Sequence, residues 1–215
     1  MNKLFASWFL LGLAAALPAQ PPAPEPRIQV SIYNQAGVHA ATLDRALREA
    51  ARIYRRVGLE LNWVDCPLTP DGPARVPSCY ADLAPDRLAL RVLPGKMSAH
   101  AGSSGTVYGV ALLPQDGGFG MVAQICAECC ARLAKGDPAR EAAFLGYVMA
   151  HELGHLLLGD PGHTLAGLMH IPWTREEQTR ISQGTLLFTS EQAAKMRRNA
   201  AARLQAEAPV LTAGK

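Results

Sequence analysis

"HELGHLLLGDPGH", running from His151 to His163, decides how the rest of the chain is read. Two histidines stand four apart, a glutamate follows the first, and a third histidine comes after a glycine and the turn-forming "GDPG". On a helix, residues four apart share a face, so His151 and His155 present their imidazoles side by side. Zinc takes nitrogen ligands at about 2.0–2.1 Å in a tetrahedron, and a catalytic site keeps one position for water. Glu152 lies one residue past the first candidate ligand. It is placed to act as a general base on water that zinc activates, and then to carry the proton to a leaving amine. A bare H-E-x-x-H arises by chance in on the order of one in a hundred chains of this length, and the bland reading is two metal-free histidines on a helix surface. Position, the following glycine, the third histidine and an export signal all favour the metal.

The flanks agree with a helix that stops at the motif. Asp137-Pro138 is a strong start, because Asp accepts from free backbone N–H groups and Pro loses nothing at the first helical position. The pattern runs through Phe144, Leu145, Val148 and Met149 into the motif and ends at Gly159. Past that glycine the chain can fold back, which makes His163 the expected third ligand. Asp160, His170, and Glu176 or Glu177 on the following helix are the other candidates.

The chain has 215 residues, is 49% apolar and carries a net charge of +3. That suits one globular domain. Its densest basic run, Arg45, Arg48, Arg52, Arg55 and Arg56, recurs at helical spacing and reads as a solvated face. No interleaved aromatics or binding motif support a nucleic-acid partner.

The N-terminus reads as a targeting segment. Lys3 precedes an apolar run from Leu4 to Leu17, too short for a comfortable span, and "LPAQPPAPEP" breaks it. Residues 1–19 are expected to be a signal peptide, with an uncleaved anchor as the alternative. Residues 20–26 form a Pro-rich linker, 27–207 the domain, and 208–215 a flexible tail. The destination is secreted or periplasmic, without stable membrane association once the signal is removed.

Export places the five cysteines in an oxidising compartment. Cys66 and Cys79 flank a turn-rich loop and are the expected disulfide. Cys126, Cys129 and Cys130 in "CAECC" read as structural. Pairs three or four apart within a helix rarely suit a disulfide, and an odd count leaves a thiol over.

The order of elements is strands first, motif helix later, hence α+β. "RIQVSIYN" alternates and is the first strand. Thr42 to Val57 has apolar residues at helical spacing, and Gly58 ends it. "LELNWV" and "RLALRVLP" are the next strands, separated by a loop over 65–86 that holds five prolines. "TVYGVALLP" is a fourth strand, and "MVAQICAECCARLA" starts as a strand and continues as a helix. "TREEQTRIS" and "TSEQAAKMRRNAAARLQAE" are C-terminal helices, the last capped by Thr189 or Ser190. His39 falls at a turn before the first helix. His100 falls in a Gly/Ser loop and reads as an exposed residue, with an oxyanion role as the rarer alternative.

The stretch "HELGHLLLGDPGHTLAGLMHIPW" resembles the metzincin zinc peptidases, and within them the matrixin side. Their pattern is H-E-x-x-H-x-x-G-x-x-H followed by a methionine turn. His151, Glu152 and His155 match position for position, while Gly159 comes one residue late and His163 two residues late. "GLMHIP" is similar to the matrixin methionine turn, which would make Met169 the residue packed beneath the ligands; an ordinary core methionine is the compatible bland reading. The mature chain also resembles short exported bacterial proteins regarded as zinc metallopeptidases, sharing "HExGHLLLG" and an "LLFT.EQA" helix start, here "GTLLFTSEQA" from Gly184 to Ala193. The resemblance implies a single zincin-like domain with a twisted mixed sheet packed on the motif helix. An edge strand, with residues 106–113 as candidate, would line the cleft and receive an extended peptide.

These readings lead to one expectation: a secreted Zn²⁺ endopeptidase acting on proteins or peptides. Its ligands would be His151, His155 and His163, and its general base Glu152. The alternatives are an exported zinc-binding module without proteolysis, and an amide hydrolase acting on cell-wall material.

Overall fold

The computed structural model describes residues 25–68, 76–79, 84–95 and 107–206. The expected signal peptide, most of the expected Pro-rich linker, His100 and the expected C-terminal tail lie outside the described residues. Strand β1 (Arg27–Asn34) leads into helix α1 (Ala40–Val57) and then strand β2 (Glu60–Asp65), which lies parallel beside β1. Helix α1 begins two residues before the expected start at Thr42, because the His39 ring accepts the Ala41 N–H and caps it. That local bond, rather than apolar spacing, sets the boundary.

Strand β3 (Arg87–Leu93) pairs with β1 on its other side, again parallel. Strand β5 (Val122–Cys126) lies parallel to β3, and the short strand β4 (Gly109–Leu112) runs antiparallel on the outer side of β5. The result is a five-stranded mixed sheet in the order β2-β1-β3-β5-β4, with β4 as an edge. Strand β4 is shorter than the expected 106–113. Thr106 lies outside the described residues, and Pro114, with no N–H to donate, cannot prolong the ladder. In register, Val30 stands beside Trp63 and Leu88, and Leu90 beside Ala123. One face of the sheet is therefore apolar and buries against α1 and the long helix α3 (Pro138–Leu158).

Helix α3 is the centre of the molecule. It packs on α1, on β4 and β5, on α2 (Ala127–Ala134), and on the C-terminal helices α4 (Arg175–Ser182) and α5 (Ser190–Gln205). From Phe144 to Leu158 every residue is buried. A helix covered on all sides needs no polar face, and its sequence is apolar nearly all round. The architecture is the α+β arrangement expected of this order of elements.

The Cys66–Cys79 disulfide forms, with a Cα–Cα separation of 5.6 Å. The Tyr33 hydroxyl donates to the Cys79 carbonyl at 2.9 Å, which fastens this excursion to β1. The reading of "CAECC" needs correction. Cys126 and Cys129 are joined, because Cys126 is not inside the helix: it is the extended N-cap of α2, and its Cα lies 5.3 Å from that of Cys129. The objection to helical pairs therefore does not apply. Cys130 is the thiol left over, and it is buried, with burial pushing it up to about 12. Among the described residues, no helix is long and apolar enough to cross a membrane.

Candidate metal centre and cleft

Helix α3 starts where the sequence places it. Asp137 accepts N–H groups from Ala139 and Arg140, and Pro138 follows. It ends at Gly159, whose φ of 64° is the left-handed conformation that favours glycine. The Asn199 side chain on α5 donates to the carbonyls of Leu157 and Leu158, satisfying groups that the helix itself leaves open.

The two motif histidines lie on one face of α3, both buried. The His151 Nδ1 meets the Leu168 carbonyl at 2.9 Å, and the His155 Nδ1 meets the Asp160 carbonyl at 2.7 Å. A carbonyl only accepts, so each Nδ1 carries the proton and each Nε2 is left with a lone pair. Burial keeps both rings neutral, lowering His151 to about 3 with help from His155, and lowering His155 as well. The two Nε2 atoms face each other at 3.1 Å. Two lone pairs this close repel; a shared cation converts the repulsion into coordination. Two nitrogens bound tetrahedrally at about 2.0–2.1 Å stand about 3.3 Å apart, close to the observed spacing.

His163 completes the group. The chain folds back after Gly159, and the His163 ring stacks on His151 with centroids 5.3 Å apart and stands edge-on to His155 at 5.0 Å. The nitrogen donors of His151, His155 and His163 all lie within 4.8 Å of one another. Burial, and then the neighbouring His170, lower the His163 pKa too. Three neutral imidazoles are a donor set that suits zinc.

Three of the four other candidates for the third ligand are engaged elsewhere. Asp160 gives its carbonyl to His155, while its carboxylate accepts the Gly162 N–H and faces Lys195 at 3.6 Å. His170 and Glu177 are paired with each other at 2.7 Å. Glu176 is an exposed residue in the first turn of α4. Met169 is fully buried beneath the motif. A Cβ on Gly154 would lie 2.8 Å from its sulfur, so this glycine gives the methionine its place under α3.

Glu152 is buried and faces the edge strand. Its carboxyl is raised to about 8 by burial, partly offset by the Ala111 backbone N–H. Glu152, the three histidines and β4 line one cavity of about 980 Å³, with Tyr108, Val148, Ile171, Pro172 and Trp173 as its apolar walls. Just before β4 the Tyr108 carbonyl accepts the Cys126 N–H, so by alternation the backbone groups of Gly109 and Ala111 point away from β5. Among the described residues no further strand pairs with this edge of the sheet, and it faces the cavity.

No protein-family model matches the chain, and no curated protein matches it in sequence. Solved structures do match. A zinc-dependent peptidase from Methanocorpusculum labreanum superposes with a TM-score of 0.54 at 16% identity, covering 78% of this chain and 99% of that one. An archaemetzincin from Methanopyrus kandleri gives 0.52 at 15% identity, covering 83% and 98%. This chain shares their fold. The zincin-like arrangement expected from the motif, a mixed sheet packed on the H-E-x-x-H helix, is thus the one adopted.

Several residues that shape the site gave little sequence signal. Gly109 touches Glu152 across the cleft, and Trp173 stands edge-on to His151 with centroids 6.0 Å apart. The carbonyls of Leu168 and Asp160, which orient the ligands, carry no side-chain signature at all. The one signal available for Gly109 is a glycine inside a strand, a known mark of close approach.

Proposed function

We propose that the protein is an exported zinc-dependent endopeptidase of metzincin type. The observation that carries this reading is the convergence of three neutral imidazoles, two of them with Nε2 atoms 3.1 Å apart, beside a buried glutamate and under the edge of the sheet. His151, His155 and His163 would hold the ion. Zinc bound there supplies Lewis acidity toward water and a peptide carbonyl. Glu152 takes one proton from the attacking water and returns it to the leaving nitrogen as the peptide bond breaks. The outward groups of Gly109 and the Ala111 carbonyl would offer an extended peptide main-chain hydrogen bonds, and the apolar walls suit apolar side chains. Two disulfides and the N-terminal segment support export.

The test uses protein starting near residue 20, loaded with zinc, beside Glu152→Ala. Each is incubated with a denatured protein mixture, and new termini are read by mass spectrometry. The parent is expected to generate internal cleavages and the variant to lose at least 100-fold of that activity while keeping its zinc. Equal zinc in both with no cleavage by either would favour the binding module; cleavage by both would remove Glu152 from its role.

A further inference from the structure

The stretch "GTLLFTSEQA" takes no part in the reading above, yet it lies against the loop that carries the third histidine. His151 and His155 each have a ring nitrogen tied to a carbonyl. His163 is exposed, and among the described residues its ring has no such tie. Its position depends on the backbone around it, in a turn two residues longer than the metzincin pattern allows.

That backbone is held from α5. Thr189 caps this helix by accepting the Gln192 N–H, and the Gln192 Oε1 accepts the Thr189 N–H in return. The other end of the same amide is free for a second task. Its Nε2 donates to the Thr164 hydroxyl at 3.1 Å, one residue past His163. The Thr164 hydroxyl donates in turn to the Ala166 carbonyl at 2.9 Å, and the Thr164 N–H to the Met169 carbonyl at 3.0 Å. Gln192 is buried, so its amide is a fixed anchor rather than a mobile surface group. One side chain thus couples the start of α5 to the residue beside the third imidazole.

We infer that Gln192, acting through Thr164, is a positioning residue for His163. The inference rests on the zinc-site reading for its functional meaning, but the coupling exists without metal. Groups that orient a ligand from outside the coordination sphere typically change metal affinity about 10–100-fold when removed.

Thr164→Val is the decisive variant. It keeps the shape of the side chain, removes the hydroxyl and leaves the α5 cap intact. Thr164→Ser restores the hydroxyl. Two readouts are made on each: the zinc dissociation constant, by competition with a chelating indicator, and amide exchange of residues 160–170 in metal-free protein. Thr164→Val is expected to weaken zinc binding about 10-fold and to speed exchange across the loop, with Thr164→Ser close to the parent on both. Gln192→Ala in the Thr164→Val background should cost the α5 cap but add little to the change in zinc affinity, because the coupling is already lost. Zinc affinity and loop exchange unchanged in Thr164→Val would overturn the inference, as would a serine variant no better than the valine. If the parent itself binds no zinc, the peptidase reading fails; the exchange data then still decide whether Gln192 and Thr164 fix the His163 loop.

Discussion

Gly109 sits in the edge strand directly across from Glu152. A Cβ built on it would fall 2.5 Å from the Glu152 Cγ and 2.7 Å from its Oε1. Its φ lies outside the left-handed region, so the glycine is there for space and not for conformation. Gly109→Ala keeps an allowed backbone conformation but pushes the carboxyl away from the place where, in the proposed mechanism, it would meet water. Displacements of about 1 Å at a reacting group can cost on the order of 100-fold in rate, so kcat is expected to fall by about that factor. Zinc content should stay near the parent's, while the crowding of a buried side chain should cost about 1–3 kcal/mol of stability. A Gly109→Ala enzyme with parental kcat would show that Glu152 needs no clearance from the rim. At this scale the sequence is uneven. The spacing of His151, Glu152 and His155 can be read because a helix repeats; His163 follows from a turn after Gly159. The contact of Gly109 with Glu152 joins a strand to a helix far along the chain, and no local rule encodes it.

The helices show how much capping chemistry makes legible. Asp137-Pro138, Thr174 and Thr189 all sit where a side-chain oxygen can accept the first free N–H groups, and all three helices start there. Helix α1 starts earlier than apolar spacing predicts because a histidine rarely serves as a cap, and the Cys126–Cys129 bond is not legible because the sequence does not show that the strand-to-helix boundary falls at Cys126. Helix α4 also carries a pH dependence. Glu177 accepts the Thr174 N–H at 2.8 Å, the Thr174 hydroxyl at 2.9 Å and the His170 Nδ1 at 2.7 Å. Burial acts to raise its pKa, but these donors outweigh it and hold the carboxyl below its usual value. A carboxylate with a depressed folded-state pKa contributes stability above its unfolded pKa and loses it as pH falls through the folded value. Glu177→Gln keeps a capping side chain but no charge. It should be less stable than the parent by about 1 kcal/mol at neutral pH, the difference between charged and neutral hydrogen bonds. That gap should close as the pH is lowered through and below the carboxylate range. Urea titrations at several pH values measure it, and a gap constant with pH would refute the assignment.

At the scale of the molecule, the site depends on a residue that reads as a surface cation. The buried stripe of α5 runs Gln192, Met196, Ala200 and Arg203: apolar in the middle, polar at both ends. A pattern reading takes the apolar pair as the packing face and leaves the polar ends to solvent. Both ends instead reach inward, Gln192 to the His163 loop and Arg203 to the base of the sheet. Arg203 is almost wholly buried. Its guanidinium donates to the carbonyls of Pro85 and Gly120 at 2.9 Å each and of Leu156 at 2.6 Å, and it lies over the Phe119 ring at 4.6 Å. Those carbonyls belong to the approach to β3, the approach to β5 and the motif helix one residue past His155. Burial lowers the Arg203 pKa to about 10, so the side chain stays charged at neutral pH and its donors stay available. Arg203→Met fills similar volume and strands three carbonyls, each at a cost of about 1–3 kcal/mol less what relaxation and water recover. A net loss of about 3 kcal/mol is expected, which for a chain of this size lowers the melting temperature by roughly 6–12 °C. Arg203→Lys should recover part of it, since one ammonium cannot span all three partners. Denaturant unfolding with an unchanged m-value would locate the loss in the native state. An Arg203→Met protein as stable as the parent would mean that water satisfies those carbonyls, and that α5 is held to the motif helix by Asn199 and its apolar stripe alone.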